Sequence, residues 1–454
     1  MTFPLAAPRV FCYTSCGGEN TGARGTKSAG HPDEGTKVKK LIIFLIVFVL
    51  IIAALVIKDG GCHVSNTAVS YSAGGKGNLL EQLRGISCKG KSGPASGSEE
   101  TVSELDPRPE TFDWDGTYYS QLSAYEKKIY DTMYQAVRNN ETTCRLKFVK
   151  HILNNEHVER ALSAFVMDHP EFIGLDHGCT VYSNGWIRFE TFAFWNEAKR
   201  RNDYTDKLME KVREIAALAE NEEDDFHKAL FVYDYIGKTA HYDFDRLEEA
   251  QKEDGDPESE LIYTAYGCLV DGGCVCSGYT AAIKLVLNEL GIECYRVSGE
   301  SCGESHAWNV VKMGDNWYHL DLTWDDDAFF GENGEELPNS VSFEYFGLTD
   351  EAISEDHTVD DEQFSIPECS ADEFNYYRYF DLLIDEYSEE AVNEKLAKQM
   401  EMGRNPLVLK FTNRVAFMSG VSGGTLERLG KIVGEDYLYY VDHEHLSLMI
   451  ITED

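Results

Sequence analysis

The sequence predicts an α+β protein, in which one helix packs on an antiparallel sheet, as one domain of a longer chain. Within residues 272–327 the pattern changes from a helix that begins near Cys276 to two strands that turn at Gly314-Asp315. Hydrophobic residues make up 43% and aromatic residues 12% of the chain, which indicates packed cores rather than disorder. A length of 454 residues exceeds one ordinary core, so we expect two or three domains.

The charge of the chain is strongly negative and unevenly distributed. Against 41 Lys and Arg stand 79 Asp and Glu, for a formal charge of -38. The first 58 residues carry seven Lys/Arg and three Asp/Glu, or +4, which leaves -42 on the other 396 residues. Phosphate binding depends on clustered basic side chains, so we expect no nucleic-acid partner. The 12 cysteines are expected to be mostly reduced and buried.

The first 106 residues are expected to hold no folded domain. Residues 1–36 are rich in Gly, Ser and Thr and are predicted to be disordered, with a true start near Val38 as an alternative. Residues 37–58 predict a transmembrane anchor, because Leu41 to Ile57 is an uncharged apolar run behind three lysines. This predicts a single-pass cell-membrane protein with a cytoplasmic N-terminus and an extracytoplasmic body; a cleaved signal segment and secretion are the alternative. Residues 59–106 are Gly/Ser-rich and predict a flexible linker.

Two regions flank the central domain. Residues 107–225 predict a helical N-terminal region, with an amphipathic helix over 118–137 and a β-hairpin that turns at Ser183-Asn184-Gly185. Residues 370–454 predict a small C-terminal α+β module, with a helix over 382–402 ahead of further strands and a helix. That module contains no recognisable catalytic pair or phosphate loop, so it is interpreted as a binding or spacer domain without an assignable ligand.

A cysteine at the start of the central helix is the first candidate for chemistry. Gly272-Gly273 provides a permissive turn, and Cys276 lies nearer than Cys274 to the first helical turn. The unpaired N–H groups and the positive dipole end of a helix N-terminus favour a thiolate and can bind an oxyanion. Cys276 is therefore the better candidate nucleophile.

The two strands that follow supply a candidate base and a candidate carboxylate. The short loop after Met313 pairs this residue with Asn316, and the same register pairs His306 with Thr323. Asp321 then emerges on the same face as His306, within reach of the imidazole. A lone Cys, His or Asp is usually structural, but the three in this order predict a nucleophile, a base and the group that orients the base.

Other chemistries fit these residues less well. The spacing C-x5-C-x-C lacks the cysteine pairs that structural zinc prefers, which argues against a site made of Cys268, Cys274, Cys276 and Cys302. The acidic run 325–327 lacks the spaced ligands of a calcium loop and is expected to be a solvated turn. No dinucleotide or phosphate-binding motif is found, so the sequence predicts neither a cofactor nor a metal.

Three stretches carry a resemblance to a known family: CVCSGYTAAIKLVLNELGIECYRVSG, HAWNVVKMGDNWYHLDLTWDD and FEYFGLTDEAISEDH. They resemble the transglutaminase-like superfamily, and most of all its bacterial, surface-associated branch with a papain-like cysteine fold. The resemblance covers roughly 230–360 and implies that 226–369 is a catalytic domain, with the helix of the nucleophile packed on an antiparallel sheet. It implies Cys276 as nucleophile, His306 as base and Asp321 as orienting group, with Tyr242 as an oxyanion donor.

The same resemblance implies an activity. Members of this family transfer an acyl group from an amide through a thioester, which water or an amine then resolves. The expectation is therefore a membrane-anchored thiol enzyme, either a peptidase or amidase or an amine-transferring enzyme, acting on peptides or proteins. Cell-wall peptide is one candidate substrate. The alternative is a non-catalytic module of the same fold, used for adhesion or as a scaffold.

Overall fold

The computed structural model describes residues 23–24, 88–91, 116–146, 155–182, 185–196, 198–252, 254–301, 303–326, 341–360, 363–422, 425–434, 437–443 and 445–452. The predicted disordered segment 1–36, membrane segment 37–58 and linker 59–106 lie outside these ranges, apart from the two short strands Ala23–Arg24 and Cys88–Lys91.

No helix in the described part of the chain is long and apolar enough to cross a bilayer. A span requires about 20 predominantly apolar residues. The helix Ala198–Ala219 has 22 residues, but Lys, Arg, Asp and Glu recur along it. The finding contradicts the predicted localisation in a cell membrane with an extracytoplasmic body. Residues 41–57, on which that prediction depended, lie outside the described ranges.

The N-terminal region combines two helices with a small sheet. Helix Ala124–Arg138 begins in a capping box formed by Ser123 and Glu126, and it packs on helix Asn155–Asp168. The predicted hairpin is confirmed, because two neighbouring strands pair in antiparallel fashion across Gly185. The strand order of this sheet is Cys88–Lys91, Leu175–Tyr182, Trp186–Thr191 and Thr143–Arg145.

Two long helices, Ala198–Ala219 and Asp225–Thr239, connect this region to the central domain. The second helix begins where the Asp224 carboxylate accepts the N–H of His227. Beyond it, the two-residue strands His241–Tyr242 and Gly273–Cys274 pair in parallel. The shorter helical elements of the first half are Tyr119–Gln121, Ala193–Asn196, Phe244–Ala250, Pro257–Tyr263 and Gly267–Asp271.

The central domain has the predicted α+β architecture, which confirms the fold class. Helix Cys276–Glu289 packs against an antiparallel sheet on one side and the two long helices on the other, so every residue from Cys276 to Asn288 is buried. Met313 pairs with Asn316 across the turn, as the spacing predicts. The strand order is Phe346–Leu348, Asn316–Leu320, Glu304–Met313, Cys294–Ser301 and His357–Val359. The short helices Leu322–Asp325 and Asp350–Ile353 follow strand ends of this sheet.

The C-terminal module has its own five-stranded sheet, which is covered by helices. The module packs against the central domain. Its Val408, Met449 and Ile451 belong to the same buried cluster as helix Cys276–Glu289. The predicted helix over 382–402 begins later, because Ser388 caps its first turn. The strand order is Ala23–Arg24, Tyr437–Asp442, Ser447–Thr452, Leu407–Phe411 and Leu383–Ile384, and the helices are Tyr376–Tyr379, Glu389–Glu401, Arg414–Ser422 and Thr425–Val433.

Candidate active site

Cys276 occupies the first position of the central helix. The residue before it, Val275, has an extended backbone and provides no side-chain cap, so the first N–H groups of the helix are not covered by a capping side chain. Gly272 has a positive φ of 77°, which the turn into this helix requires. A Cβ at Gly278 would lie 2.6 Å from the Cβ of Cys274, so the helix approaches the preceding strand closely. Cys276 is itself buried in this packing, with 3% of its surface exposed.

His306 lies on the long strand Glu304–Met313, opposite Gly299 of the neighbouring strand. Its Nε2 is 2.5 Å from Oδ2 of Asp321. The Cys276 thiol lies near enough to the His306 imidazole to contribute to the upward shift of its pKa. Because Nε2 is engaged by Asp321, Nδ1 is the nitrogen left to face the thiol. His306 and Asp321 are therefore in direct contact and Cys276 lies near the imidazole, so the structure brings together the three residues predicted from the sequence.

Asp321 reaches His306 by a route that differs from the predicted one. The strand Asn316–Leu320 ends just before Asp321 instead of continuing to Thr323. Asp321 is the N-cap of the short helix Leu322–Asp325. Its Oδ1 accepts the N–H groups of Thr323 at 3.0 Å and Trp324 at 3.4 Å. The expected pairing of His306 with Thr323 is therefore wrong, because the chain leaves the sheet to begin a helix. The same cap fixes the carboxylate so that Oδ2 points at the imidazole.

The buried pair of His306 and Asp321 favours its charged form. Burial alone would lower the pKa of His306, but the Asp321 carboxylate and the Cys276 thiol together raise it to about 9. Burial would raise the pKa of Asp321, and the two neighbouring imidazoles, His306 and His357, lower it to about 2. Near neutral pH this arrangement favours a protonated His306 imidazole beside Cys276 and an ionised Asp321 carboxylate behind the imidazole.

His357 is a member of the site that the sequence reasoning did not single out. It lies on the edge strand His357–Val359, and its Nε2 is 3.0 Å from the same Asp321 Oδ2 that His306 contacts. Its Nδ1 hydrogen-bonds to Asp356. These two carboxylates outweigh burial and raise the pKa of His357 to about 9. The only signal in the sequence is its position at the end of FEYFGLTDEAISEDH, the third family-like stretch.

The group His306, Asp321 and His357 has the residue types of a metal site but not the geometry. Two nitrogen or oxygen ligands of one tetrahedral zinc ion, each about 2.0–2.1 Å from it, lie about 3.3 Å apart. The imidazole nitrogens are 2.5 and 3.0 Å from the shared carboxylate oxygen, which are hydrogen-bond distances. The residues therefore fit a shared hydrogen-bonded carboxylate rather than an ion.

A second chain of polar groups lies behind His306. The ring of Trp308 stacks on His306 with 6.0 Å between centroids, and its Nε1 donates to Nδ1 of His319 at 2.9 Å. An indole N–H can only donate, so Nδ1 of His319 carries no proton and Nε2 donates to Asp350 at 2.8 Å. Burial lowers the pKa of His319, which agrees with a neutral ring. With its Nε2 protonated, His319 cannot join Asp350 and Cys369 as a metal ligand.

The acidic run after the triad carboxylate is not the solvated turn that the sequence predicts. Asp325 is fully buried and accepts hydrogen bonds from Tyr233 and Ser342, each at 2.6 Å. Asp326 is buried near Cys274, and it accepts the Tyr279 hydroxyl and the Tyr242 N–H. Burial raises the pKa of Asp326 to about 7. These carboxylates hold the elements around Cys276 together, and Asp327 lies outside the described residues.

The other candidates near Cys276 have different surroundings. The paired short strands place Tyr242 beside Cys274, next to the Cys276 thiol. Cys274 is fully buried, and burial together with a hydrogen bond to Cys268 raises its pKa well above the ordinary value, so it remains a thiol. Cys302 lies outside the described residues. The cysteines that the structure describes are free and buried, as expected.

Comparison with known proteins identifies the family of this region. Residues 213–322 match the family model described as the transglutaminase-like superfamily. No curated protein matches the chain. A solved structure described as a TGase is 16% identical with a TM-score of 0.24, over 34% of this chain and 43% of that one. A protein from Cytophaga hutchinsonii proposed to be a cysteine protease is 19% identical with a TM-score of 0.20, over 25% and 37%.

The chain thus spans less than half the length of either of these solved structures, and both similarities are too low to carry an argument about function. The family match covers the stretch from the end of the first long helix to the cap of the short helix Leu322–Asp325, and so includes Cys276, His306 and Asp321. The resemblance read from the sequence is confirmed: residues 213–322 of this chain match the model of the transglutaminase-like superfamily.

Proposed function

We propose that this protein is a thiol enzyme that transfers acyl groups from amide bonds of peptides or proteins. Cys276 is the nucleophile, His306 is the acid and base, and Asp321 orients the imidazole. The observation that carries the proposal is the buried contact between His306 Nε2 and Asp321 Oδ2, which are 2.5 Å apart, with the Cys276 thiol near enough to the imidazole to affect its pKa. The family match over the same residues supports it.

The reaction follows from the charges of the site. The His306 imidazole takes the proton of the Cys276 thiol, the sulfur attacks the amide carbonyl carbon, the C–S bond forms, and the carbonyl oxygen becomes an oxyanion. The N-terminus of helix Cys276–Glu289, which has no side-chain cap, is a candidate site for that oxyanion, and Tyr242 is a second candidate donor. The His306 imidazolium then gives its proton to the departing amine as the C–N bond breaks, which leaves a thioester.

The second half of the reaction regenerates the thiol. Water, or a lysine amine, attacks the thioester carbonyl while the neutral His306 accepts a proton, and the C–S bond breaks. Water makes the protein a peptidase or amidase, and an amine makes it a crosslinking enzyme. The triad serves both outcomes equally, so the acceptor depends on the walls of the cleft.

The proposal is tested with the full chain in three forms: wild type, Cys276→Ala and Cys144→Ala. Cys144 is the matched control, because it is another buried thiol, on the N-terminal strand Thr143–Arg145, whose pKa burial raises to about 12. Each form is incubated with a mixture of peptides and proteins plus a labelled amine, and mass spectrometry reports cleavage and label. Alkylation of each thiol by iodoacetamide at pH 6 is measured in parallel.

We expect wild type and Cys144→Ala to act alike and Cys276→Ala to be inactive. Cleavage that requires Cys276 assigns a peptidase or amidase, and amine incorporation assigns a transferase. A wild type that neither cleaves nor incorporates amine, and whose Cys276 alkylates no faster than Cys144, contradicts the proposal and supports the non-catalytic scaffold instead.

A further inference from the structure

The carboxylate of the proposed triad is the first link of a longer chain of alternating histidines and acids. Asp321 Oδ2 is shared by His306 at 2.5 Å and His357 at 3.0 Å. His357 continues through Nδ1 to Asp356. The second oxygen of Asp356 is 3.2 Å from Nε2 of His445. The chain therefore leads from the active-site sheet into the C-terminal module.

The far end of this chain is anchored in the C-terminal sheet. His445 lies in the turn between strands Tyr437–Asp442 and Ser447–Thr452. Its Nδ1 is 2.9 Å from the Asp442 carboxylate, whose other oxygen accepts the His445 backbone N–H at 2.9 Å. The imidazole is thus clamped by the hairpin that carries it, and Nε2 is presented to Asp356 across the boundary between the module and the central domain.

The hydrogen bonds determine the charges along the chain. His357 meets a carboxylate at each ring nitrogen, and so does His445. A neutral imidazole donates at one nitrogen only, so two ionised carboxylate neighbours require the doubly protonated cation. Negative and positive groups then alternate, which compensates for the burial of His357, whose side chain has no exposed surface.

Aromatic rings surround the buried His357 side chain. Its ring lies 5.0 Å from that of Trp308, 5.7 Å from that of Tyr345 and 5.9 Å from that of Trp324. The Tyr345 hydroxyl donates to Asp356 at 2.6 Å. His357 is therefore packed among aromatic rings, and within the described residues its ring nitrogens contact the two acids, Asp356 and Asp321.

This arrangement decides how Asp321 is oriented. Its Oδ1 is held by two backbone N–H groups of its own helix cap, and its Oδ2 lies between two imidazoles. Without His357, His306 would be the one remaining partner of this oxygen among the described residues, and His306 is the ring that carries the transferred proton. With His357 present, a second imidazole holds the Asp321 carboxylate in place, so its position does not depend on the His306 ring that it orients.

We propose that His357 is a positioning residue for the triad, and that the C-terminal module, through His445, completes the site rather than serving as a separate binding or spacer domain. The inference rests on the proposed thiol chemistry. His357 contacts no substrate atom; it acts through Asp321 and His306. His445 acts one step further away, by holding Asp356 against His357.

The test compares His357→Phe with His357→Gln, and His445→Phe with His445→Gln. Phenylalanine fills the ring space without hydrogen bonds, whereas the glutamine amide of residue 357 reaches the position of Nε2 and can still donate to Asp321. His169→Phe is the matched control, because His169 is also buried, 2.8 Å from the carboxylate of Glu171, and packed between aromatic rings of the N-terminal region. Thermal unfolding confirms that each variant folds.

Two readouts are measured on the full chain: the rate of Cys276 alkylation by iodoacetamide at pH 6, and kcat and KM on a substrate found with the wild type. We expect His357→Phe to lower kcat and the alkylation rate about 10- to 100-fold, the effect of one lost hydrogen bond to a charged group, with KM within about threefold. His357→Gln recovers to within about fivefold of wild type. His445→Phe lowers kcat by a smaller factor, and His445→Gln and His169→Phe stay within about twofold.

The inference is overturned if folded His357→Phe keeps kcat within twofold of wild type, or if His169→Phe loses as much. If His357→Phe does not fold, His357→Gln and His357→Asn decide, because only glutamine reaches Asp321; equal kcat values refute the inference. The proposed function fails separately, when wild-type Cys276 is neither reactive nor able to turn over a substrate. An active wild type with a normal His357→Phe refutes the positioning role alone.

Discussion

Asp321→Asn tests the central geometric claim, that the triad carboxylate must accept hydrogen bonds on both of its oxygens. Oδ1 faces the N–H groups of Thr323 and Trp324, and Oδ2 faces Nε2 of His306 and of His357. An amide accepts on its oxygen only and donates on the other side. In either orientation of the asparagine, two donors that the carboxylate satisfies would face an NH2 group.

The cost can be worked from those contacts. Leaving a buried donor without an acceptor costs about 1–3 kcal/mol, so two such donors lower the free energy of unfolding by about 2–6 kcal/mol. If the amide oxygen stays on the helix cap, His306 can relieve the conflict only by giving up its Nε2 proton. The remaining proton then lies on Nδ1, and the ring can no longer accept one from Cys276. We expect kcat to fall by about 10²–10⁴, as in other triads that lose the orienting carboxylate.

The assay combines denaturant unfolding with kcat, and Asp168→Asn is its control. Asp168 is fully buried and also has two donors on each oxygen: Thr117 and Tyr118 on Oδ1, Tyr119 and Tyr130 on Oδ2. Asp168→Asn should lose about 1–3 kcal/mol of stability, since hydroxyl partners can turn to accept, and should keep kcat in its folded fraction. A folded Asp321→Asn with kcat within threefold of wild type would refute the reasoning.

The remaining predictions concern pH and backbone packing. Turnover should fall as pH rises through about 9, because the raised pKa of His306 places the loss of its imidazolium there, and a pH–rate profile between 6 and 10.5 checks this. The folded-state pKa of His357 lies above its ordinary 6.5, so the stability it contributes is complete below about 6.5 and lost as pH rises through about 9. His357→Gln should therefore flatten the melting temperature against pH over that window, and an unchanged slope would contradict it. Gly299→Ala places a Cβ against the carbonyl oxygen of Thr358, on the strand that carries His357, so it should cost about 1–3 kcal/mol of stability and slow Cys276 alkylation.

The parts of the site that could be predicted lie close together in the chain and follow regular geometry. A Gly-rich turn before an apolar helix is a local pattern, and it places Cys276 at a helix N-terminus. The hairpin after Met313 is set by a two-residue loop, so its register can be counted from the sequence. The predicted pairing of His306 with Thr323 is wrong, but His306 and Asp321 still meet. The helix cap turns the Asp321 carboxylate toward the face of the sheet that carries His306.

The parts that could not be predicted depend on contacts between distant segments. His357 follows Asp321 by 36 residues and reaches it through an edge strand that pairs with Ser301, a contact that leaves no periodic signal in the sequence. His445 lies 89 residues beyond Asp356. In the sequence, Asp325 and Asp326 look like a solvated turn because a run of acidic residues is usually exposed. In the structure they are buried, where they accept hydrogen bonds from Tyr233 and Tyr279 on two helices.

The sequence by itself predicted the α+β class, the family resemblance that the match over residues 213–322 supports, and Cys276, His306 and Asp321 as candidate site residues in that order. Helix starts, hairpin loops and strand alternation are local properties, so they can be read from neighbouring residues without knowing the tertiary contacts. Only the tertiary structure decided which groups surround Asp321, and that the C-terminal module reaches the site through His445. Those contacts join segments that no local rule relates, since a buried carboxylate takes its partners from wherever the packed chain brings them.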